Sequence, residues 1–369
     1  MQDKTMLFDR RHMLMAASAA LMVGCSRKGE GKSVTPEAST DGQKSFDGPK
    51  IMESPKNLNG PKNLDGMWTS FRQIYLDASG RIVDTGNGGI SHTEGQGYGM
   101  LMAATLGDRP AFEAMYNWTQ AHLARADVAL YSWRFDPRSN NPVADPNNAT
   151  DGDMLIALAL ARAARRWGMP AWEARSRQIR QAIREHLVIA RGGQHYLMPG
   201  IAGFDLGDRL MINPSYYIFT ALDAFAALDG AGTWGPVIAT CENLLRKARF
   251  GAHNLPTDWV VVGADGTPQP APDKAPQFGF DAVRIALYAV AARRGALVAP
   301  IADYWRSKQA SGQPIPAWVD VWSGAEAPFP LSPGGRNVVQ RTLNQPIKTE
   351  ALAQDYYGCV LQLLARHLR

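Results

Sequence analysis

The stretch A-T-D-G-D-M-L-I-A-L-A-L-A-R-A-A-R-R-W, residues 149–167, contains a run from Met154 to Ala164 that is apolar on almost every side when wound as a helix. A helix with one apolar stripe faces a core, whereas one apolar nearly all round has to be enclosed by other helices. Residues 282–292 read the same way. Around these two, apolar residues at three-to-four spacing predict helices over 110–123, 152–167, 170–188, 215–228, 235–248, 280–293, 300–309 and 350–368. Strand signals are confined to 194–198 and 259–263, the latter running into an A-D-G turn able to close a hairpin. No fixed-period repeat is present, which excludes a solenoid. The expected fold is all-α with minor β-hairpins, an inner ring of helices packed inside an outer ring.

The chain has 369 residues and a formal net charge of +5, from 39 Lys and Arg against 34 Asp and Glu. Residues 1–25 read as an export signal: Arg10 and Arg11 precede an apolar run, Met13 to Val23, that is too short to span a bilayer. D-R-R-H-M-L resembles a twin-arginine signal, and M-V-G-C resembles a lipobox that would acylate Cys25, although Met22 stands where Leu is usual. Residues 26–59 are rich in Lys, Gly, Ser, Pro and Asp and poor in large apolar residues, so they form a tether that cannot offset its ordering entropy. Setting the signal and the tether aside removes Arg27, Lys28, Lys32, Lys44, Lys50 and Lys56 and shrinks the formal +5 of the whole chain. The remaining basic residues are interleaved with acidic ones on helix faces, which excludes a nucleic-acid footprint. Residues 60–369 form one catalytic domain. Its cysteines, Cys241 and Cys359, lie far apart among apolar helical residues and are read as buried thiols, with no metal-ligand spacing.

Three acidic residues stand at the heads of helices expected to be buried. Glu94 lies in S-H-T-E-G-Q-G-Y-G-M (91–100), within a glycine-rich frame from Asp84 to Met102 whose backbone is free to turn tightly. Its plain reading is a capping box, Ser91 with Glu94. Asp151 precedes the helix at 152–167, where Thr150 and Asp153 form another capping pattern that leaves Asp151 over. Asp281, in F-G-F-D-A-V-R-I-A-L-Y (278–288), is followed three residues on by Arg284, an ordinary helical ion pair. Each capping or pairing account is sound alone. Three together, on helices of one inner ring, imply carboxylates converging at one mouth, which is how hydrolases divide acid and base work. Calcium binding is the rival use of these carboxylates, and the absence of the Asp/Asn ladder and terminal Glu of an EF-hand loop counts against it.

Trp68, Trp118, Tyr131, Trp133, Tyr216, Tyr217, Trp259 and Trp318 fall outside the apolar runs, several beside Arg, Asp or Gly. Flat rings with polar neighbours suit sugars, whose C–H faces stack while their hydroxyls take hydrogen bonds. Each ring singly is better explained by core packing, and the group is more telling than any member.

These segments resemble glycoside hydrolase family 8, in particular the endo-β-1,4-glucanases associated with bacterial cellulose synthesis. Residues 149–167 resemble the family signature, S-H-T-E-G-Q-G-Y-G-M the segment carrying the general acid, and N-P-S-Y-Y (213–217) and D-A-V-R (281–284) two further segments. The resemblance covers residues 60–369. It implies an (α/α)6 barrel, Glu94 as proton donor, Asp281 as base, and Asp151 as a central residue that binds or distorts the sugar. Tyr216 and Arg284 would organise the base and its water, Trp133 would stack a sugar, and Asp153 and Tyr98 complete the substrate-binding candidates. Phe280 stands where relatives often carry Tyr, so a hydrogen bond from that hydroxyl is lacking. No metal or organic cofactor is implied.

On that reading Glu94 has to hold a proton at working pH and Asp281 has to stay ionised, about 6.5–9.5 Å away so that water fits between, with inversion at the anomeric carbon. The partner is a β-1,4-glucan, with the cellulose synthase machinery as a further partner, and the membrane is met only through an acyl chain at Cys25. Two other readings are a polysaccharide lyase on a similar toroid and a non-catalytic glycan-binding protein. Intact Glu94, Asp151 and Asp281 argue against the second.

Overall fold

The computed structural model describes residues 65–347 and 351–369; the expected export signal, Cys25 and the tether lie outside the described residues. Among the described residues there are eleven α-helices. In chain order they are α1 (Gly66–Tyr75), α2 (Thr93–Leu106), α3 (Arg109–His122), α4 (Thr150–Trp167), α5 (Pro170–His186), α6 (Phe219–Asp229), α7 (Ala231–Lys247), α8 (Val283–Ala291), α9 (Ala299–Ala310), α10 (Pro333–Thr342) and α11 (Tyr356–His367).

Two burial patterns divide them. In α2, α4, α8 and α11 consecutive residues are buried, for example Met154 through Leu160, so the helix is enclosed as its composition demands. In α3, α5 and α7 the buried residues recur at helical spacing, as with Trp172, Ser176, Ile179 and Ile183, leaving the opposite face to solvent. Each amphipathic helix packs on its predecessor: α3 on α2, α5 on α4, α7 on α6. The four enclosed helices join α6 and α10 in a circuit of contacts, α2 with α4, α4 with α6, α6 with α8, α8 with α10, α10 with α11 and α11 with α2.

The strands are short and antiparallel: β1 (Ser91–His92) pairs with β2 (Arg134–Phe135), and β3 (Val188–Arg191) with β4 (Gln194–Leu197). β5 (Arg209–Ile212), β6 (Val260–Gly263) and β7 (Pro268–Pro270) form a three-stranded sheet, in which the A-D-G turn closes the β6–β7 hairpin. β8 (Gln277–Phe278) pairs with β9 (Val319–Asp320).

Several boundaries differ from the sequence reading for identifiable reasons. Gly95, Gly97 and Gly99 are helical, in the first half of α2, rather than turn residues. They are there for close approach. A Cβ on Gly97 would lie 2.6 Å from Cβ of Leu155, and one on Gly152 would lie 2.2 Å from Oγ1 of Thr93, so α2 and α4 cross with almost no side chain between them. Only Gly88 and Gly89 of that frame take positive φ, 67° and 74°. α6 starts at Phe219 because Pro214–Tyr216 form a 3-10 turn capped by Asn213. α11 starts at Tyr356 because the Asp355 carboxylate accepts from the Gly358 amide. α10, unforeseen behind its Pro-Gly-Gly start, needs Gly334, where a Cβ would meet the Gly358 carbonyl oxygen of α11 at 2.1 Å.

Candidate active site

The helix beginnings gather around one cleft of about 380 Å³, lined among others by Glu94, Asp151, Asp281, Arg284, Trp133, Tyr216, Asp258, Trp259, Phe280, Tyr356 and Tyr357. Glu94 sits in the first turn of α2 and Asp151 in that of α4, while Asp281 lies two residues before α8. The α2–α4 contact at Gly152 is what sets the first two side by side: a Cβ on Gly152 would lie 2.8 Å from the Glu94 amide nitrogen.

The capping accounts of these residues do not hold. α2 is capped by His92, whose Nδ1 accepts from the Gly95 amide at 3.0 Å, and the Ser91 hydroxyl instead donates to the Ile82 carbonyl at 2.5 Å. Glu94 is therefore not needed as a cap. At α4 the cap is Ala149, with no side-chain bond, and the Thr150 hydroxyl donates to the Met198 carbonyl.

Arg284 ties the carboxylates together. Its Nη1 meets Glu94 Oε1 and stands 3.8 Å from Asp151 Oδ2, while its Nη2 donates to Asp281 Oδ1 at 2.7 Å and to the Ser215 hydroxyl at 3.0 Å. Buried arginine is costly unless matched by anions. Here the Asp281 carboxylate is the matching anion, with the carboxyl groups of Glu94 and Asp151 beside it. Side-chain exposure falls from 35% at Asp281 through 20% at Glu94 to 4% at Asp151, so Asp281 is the carboxylate most open to water. Asn213 fixes the other oxygen of Asp281, donating from Nδ2 at 2.9 Å. Burial, with the charge of Asp281 adding to it, pushes the Asp151 carboxyl up to about 8 despite the bond it accepts from the Gly152 amide. At neutral pH Asp151 is then largely a neutral acid, able to donate as well as accept.

Two of the expected substrate contacts, Asp153 and Tyr98, lie behind the cleft lining. Asp153 is fully buried and absent from the cleft lining; its carboxylate accepts from the Tyr131 amide at 3.0 Å and from Asn148 Nδ2 at 2.8 Å, bracing the loop that carries Trp133. Tyr98 is likewise buried behind Glu94. Its hydroxyl donates to Glu94 Oε1 at 3.0 Å and accepts from Arg284 Nη1 at 3.1 Å, so it braces the Glu94 carboxyl from behind. Of the eight aromatics, Trp133, Tyr216 and Trp259 line the cleft, whereas Trp68, Trp118, Tyr131 and Tyr217 are core and Trp318 lies outside it. The Trp133 indole is steadied by donating to Asp145 Oδ2 at 2.7 Å. Cys241 and Cys359 are free and buried.

Residues 59–369 match the sequence profile of Glycosyl hydrolases family 8. The chain belongs to that family. A relative from Cellulomonas uda, an endoglucanase, is 37% identical over 288 residues, 77% of this chain and 79% of its own. The family 8 endoglucanase of Klebsiella pneumoniae superposes with a TM-score of 0.79 at 37% identity, over 82% of this chain and 98% of its own. The endo-β-1,4-glucanase of Acetobacter xylinum gives 0.78 at 38%, over 82% and 96%.

The family 8 cleft also contains residues the sequence reading passed over. Asp258 accepts from the Gly279 and Ala282 amides at 3.0 and 2.8 Å, clamping the turn that carries Asp281. Burial, then the neighbouring Asp281, pushes its carboxyl well above the ordinary range. An acidic residue beside Trp259 in a loop was the available signal. Tyr357 donates to the Phe280 carbonyl at 2.5 Å, so that Phe280, whose own ring lines the cleft, is held through its backbone. His92 and Asp84 line the cleft beside Glu94, 3.4 Å apart.

Proposed function

We propose that this family 8 enzyme cleaves internal β-1,4-glucosidic bonds of cellulose or related glucans by a single inverting displacement. The observation that carries this is the Arg284 guanidinium linking Glu94, Asp151 and Asp281 at the head of the cleft. Glu94, held by Tyr98, gives its proton to the leaving glycosidic oxygen. Asp281, the most water-exposed of the three and fixed by Asn213 and Arg284, takes a proton from the attacking water. Asp151, protonated and between them, binds a hydroxyl of the sugar being cut, which stacks against Trp133 with Tyr216 near the base. A carboxylate pair able to remove water's proton as another protonates the leaving group favours hydrolysis over elimination.

The circuit of contacts α2–α4–α6–α8–α10–α11, with α1, α3, α5, α7 and α9 outside it, supports the (α/α)6 barrel as architecture. The endoglucanase relatives support the β-1,4-glucan substrate. By the family resemblance the enzyme works beside the cellulose synthase machinery, exported by its signal and held at a membrane through an acylated Cys25. Cys25→Ser should then release or misprocess the exported protein; a soluble mature wild-type protein beginning elsewhere would remove the anchor and leave the chemistry untouched. The central test is release of reducing ends from carboxymethylcellulose, set against xylan and chitosan. Cleavage of carboxymethylcellulose is expected. New ultraviolet absorbance from an unsaturated sugar would instead establish a lyase.

A further inference from the structure

Trp322 is the most exposed large hydrophobic among the described residues, at 63%. It is nevertheless held firmly. Its amide donates to Asp320 Oδ1 at 3.0 Å, the Ser323 amide donates to the same oxygen at 2.8 Å, and the Val321 amide donates to the Pro276 carbonyl at 2.9 Å. Gly251 packs so closely beneath that a Cβ there would overlap the Val321 carbonyl oxygen. The indole is braced by the Phe250 ring, centroids 6.0 Å apart. An exposed tryptophan on such a fixed backbone presents a flat apolar face whose side-chain freedom is already reduced.

Its position links it to the cleft. Gln277, which lines the cleft, stands opposite Asp320 in the β8–β9 ladder, and directly opposed residues share one face of a sheet. The strand ends at Asp320 and the chain turns at 321–323, where the Val321 amide donates to the Pro276 carbonyl between Ala275 and Gln277 of the cleft lining, so the turn that carries Trp322 is tied to the edge of the cleft. The chain just before β8, at Lys274 and Ala275, also lines the cleft.

We propose that Trp322 is a stacking platform on the cleft rim for glucan units of a long chain beyond those held in the cleft. The inference rests on the glucanase reading, and its occupant is the polymer that reading supplies. A chain leaving the cleft past Gln277 meets the Trp322 face, whose apolar area suits the C–H face of a pyranose ring. The platform adds polymer affinity and leaves bond cleavage alone.

The test compares wild type, Trp322→Ala and Trp322→Phe on carboxymethylcellulose and on cellotetraose. For Trp322→Ala, KM on the polymer should rise about three- to tenfold, close to one decade of affinity at most, with kcat and cellotetraose cleavage unchanged and Trp322→Phe close to wild type. In an inactive Glu94→Gln background, Trp322→Ala should be retarded less in native gels containing carboxymethylcellulose. Equal losses on both substrates, or no change on either, would overturn the platform. So would a change of sedimentation with unchanged polymer KM, which would mark the patch as a contact between copies. A wild-type protein that fails to cut carboxymethylcellulose would instead defeat the glucanase reading, and gel retardation would still judge the platform.

Discussion

At the residue scale, the site turns on how one guanidinium is shared by three carboxylates of unequal exposure. If Glu94 is the acid, Glu94→Gln should leave the circular dichroism spectrum intact and lower kcat by about 10²–10⁴-fold. A folded variant with near-normal turnover would remove Glu94 from the chemistry. Asp151 has a pH signature in stability. Its folded carboxyl is raised to about 8, above the ordinary 3.8, so the folded state binds the proton more tightly than the unfolded chain. The contribution is fully present below roughly pH 4 and is lost as pH rises towards about 8. Asp151→Asn, neutral throughout, should therefore flatten the fall in Tm between those limits, read by calorimetry at matched ionic strength. An unchanged slope would show that Asp151 is ionised in the folded enzyme. Asp258 acts on Asp281 through the backbone. Asp258→Ala should lower kcat more than it raises KM and shift the acidic limb of the pH profile, the limb that reports ionisation of Asp281 as the base.

At the element scale, Glu94 and Asp151 are adjacent because two helices cross through glycine. Gly152→Ala would drive a methyl against Thr93 Oγ1 and the Glu94 amide. Overpacking of this kind typically costs about 1–3 kcal/mol. Here it also displaces Glu94, so kcat at 25 °C should fall by much more than the folded fraction does. Thermal melting alongside single-turnover cleavage separates the two effects. If activity tracks the folded fraction alone, the crossing only holds the fold.

At the scale of the whole molecule, helix starts from separated parts of the chain surround one cleft, and in the proposed mechanism water reaches the sugar from the side of Asp281. Cleavage of a β-linked cello-oligosaccharide should then give the α-anomer first, visible by proton NMR of the anomeric region before mutarotation. Early β-product would mean a covalent intermediate and would end the role given to Asp281. Initial α-product with an inactive, folded Asp281→Asn variant would agree with it.

Much of this was legible in the chain itself. The all-round apolarity of Met154 to Ala164 and of 282–292 required enclosed helices, and the motifs around Glu94, Asp151 and Asp281 identified the family. These are local properties, because hydrophobic period and motif spacing are carried by neighbouring residues. Which side chains face the cleft was not local. Asp153 and Tyr98 lie within those same motifs, yet one braces a loop and the other stands behind Glu94, because residues two or four apart on a helix point in different directions or at different depths. Asp258, Tyr357 and Trp322 carry no motif, and their places follow from which loops and strands the packed helices bring together. Gly97 reads as a turn residue, and Gly152 as an ordinary helix start, until their neighbours on the facing helix are known. Contacts between residues distant in sequence exist only once the helices have packed, and the tertiary structure alone decided them.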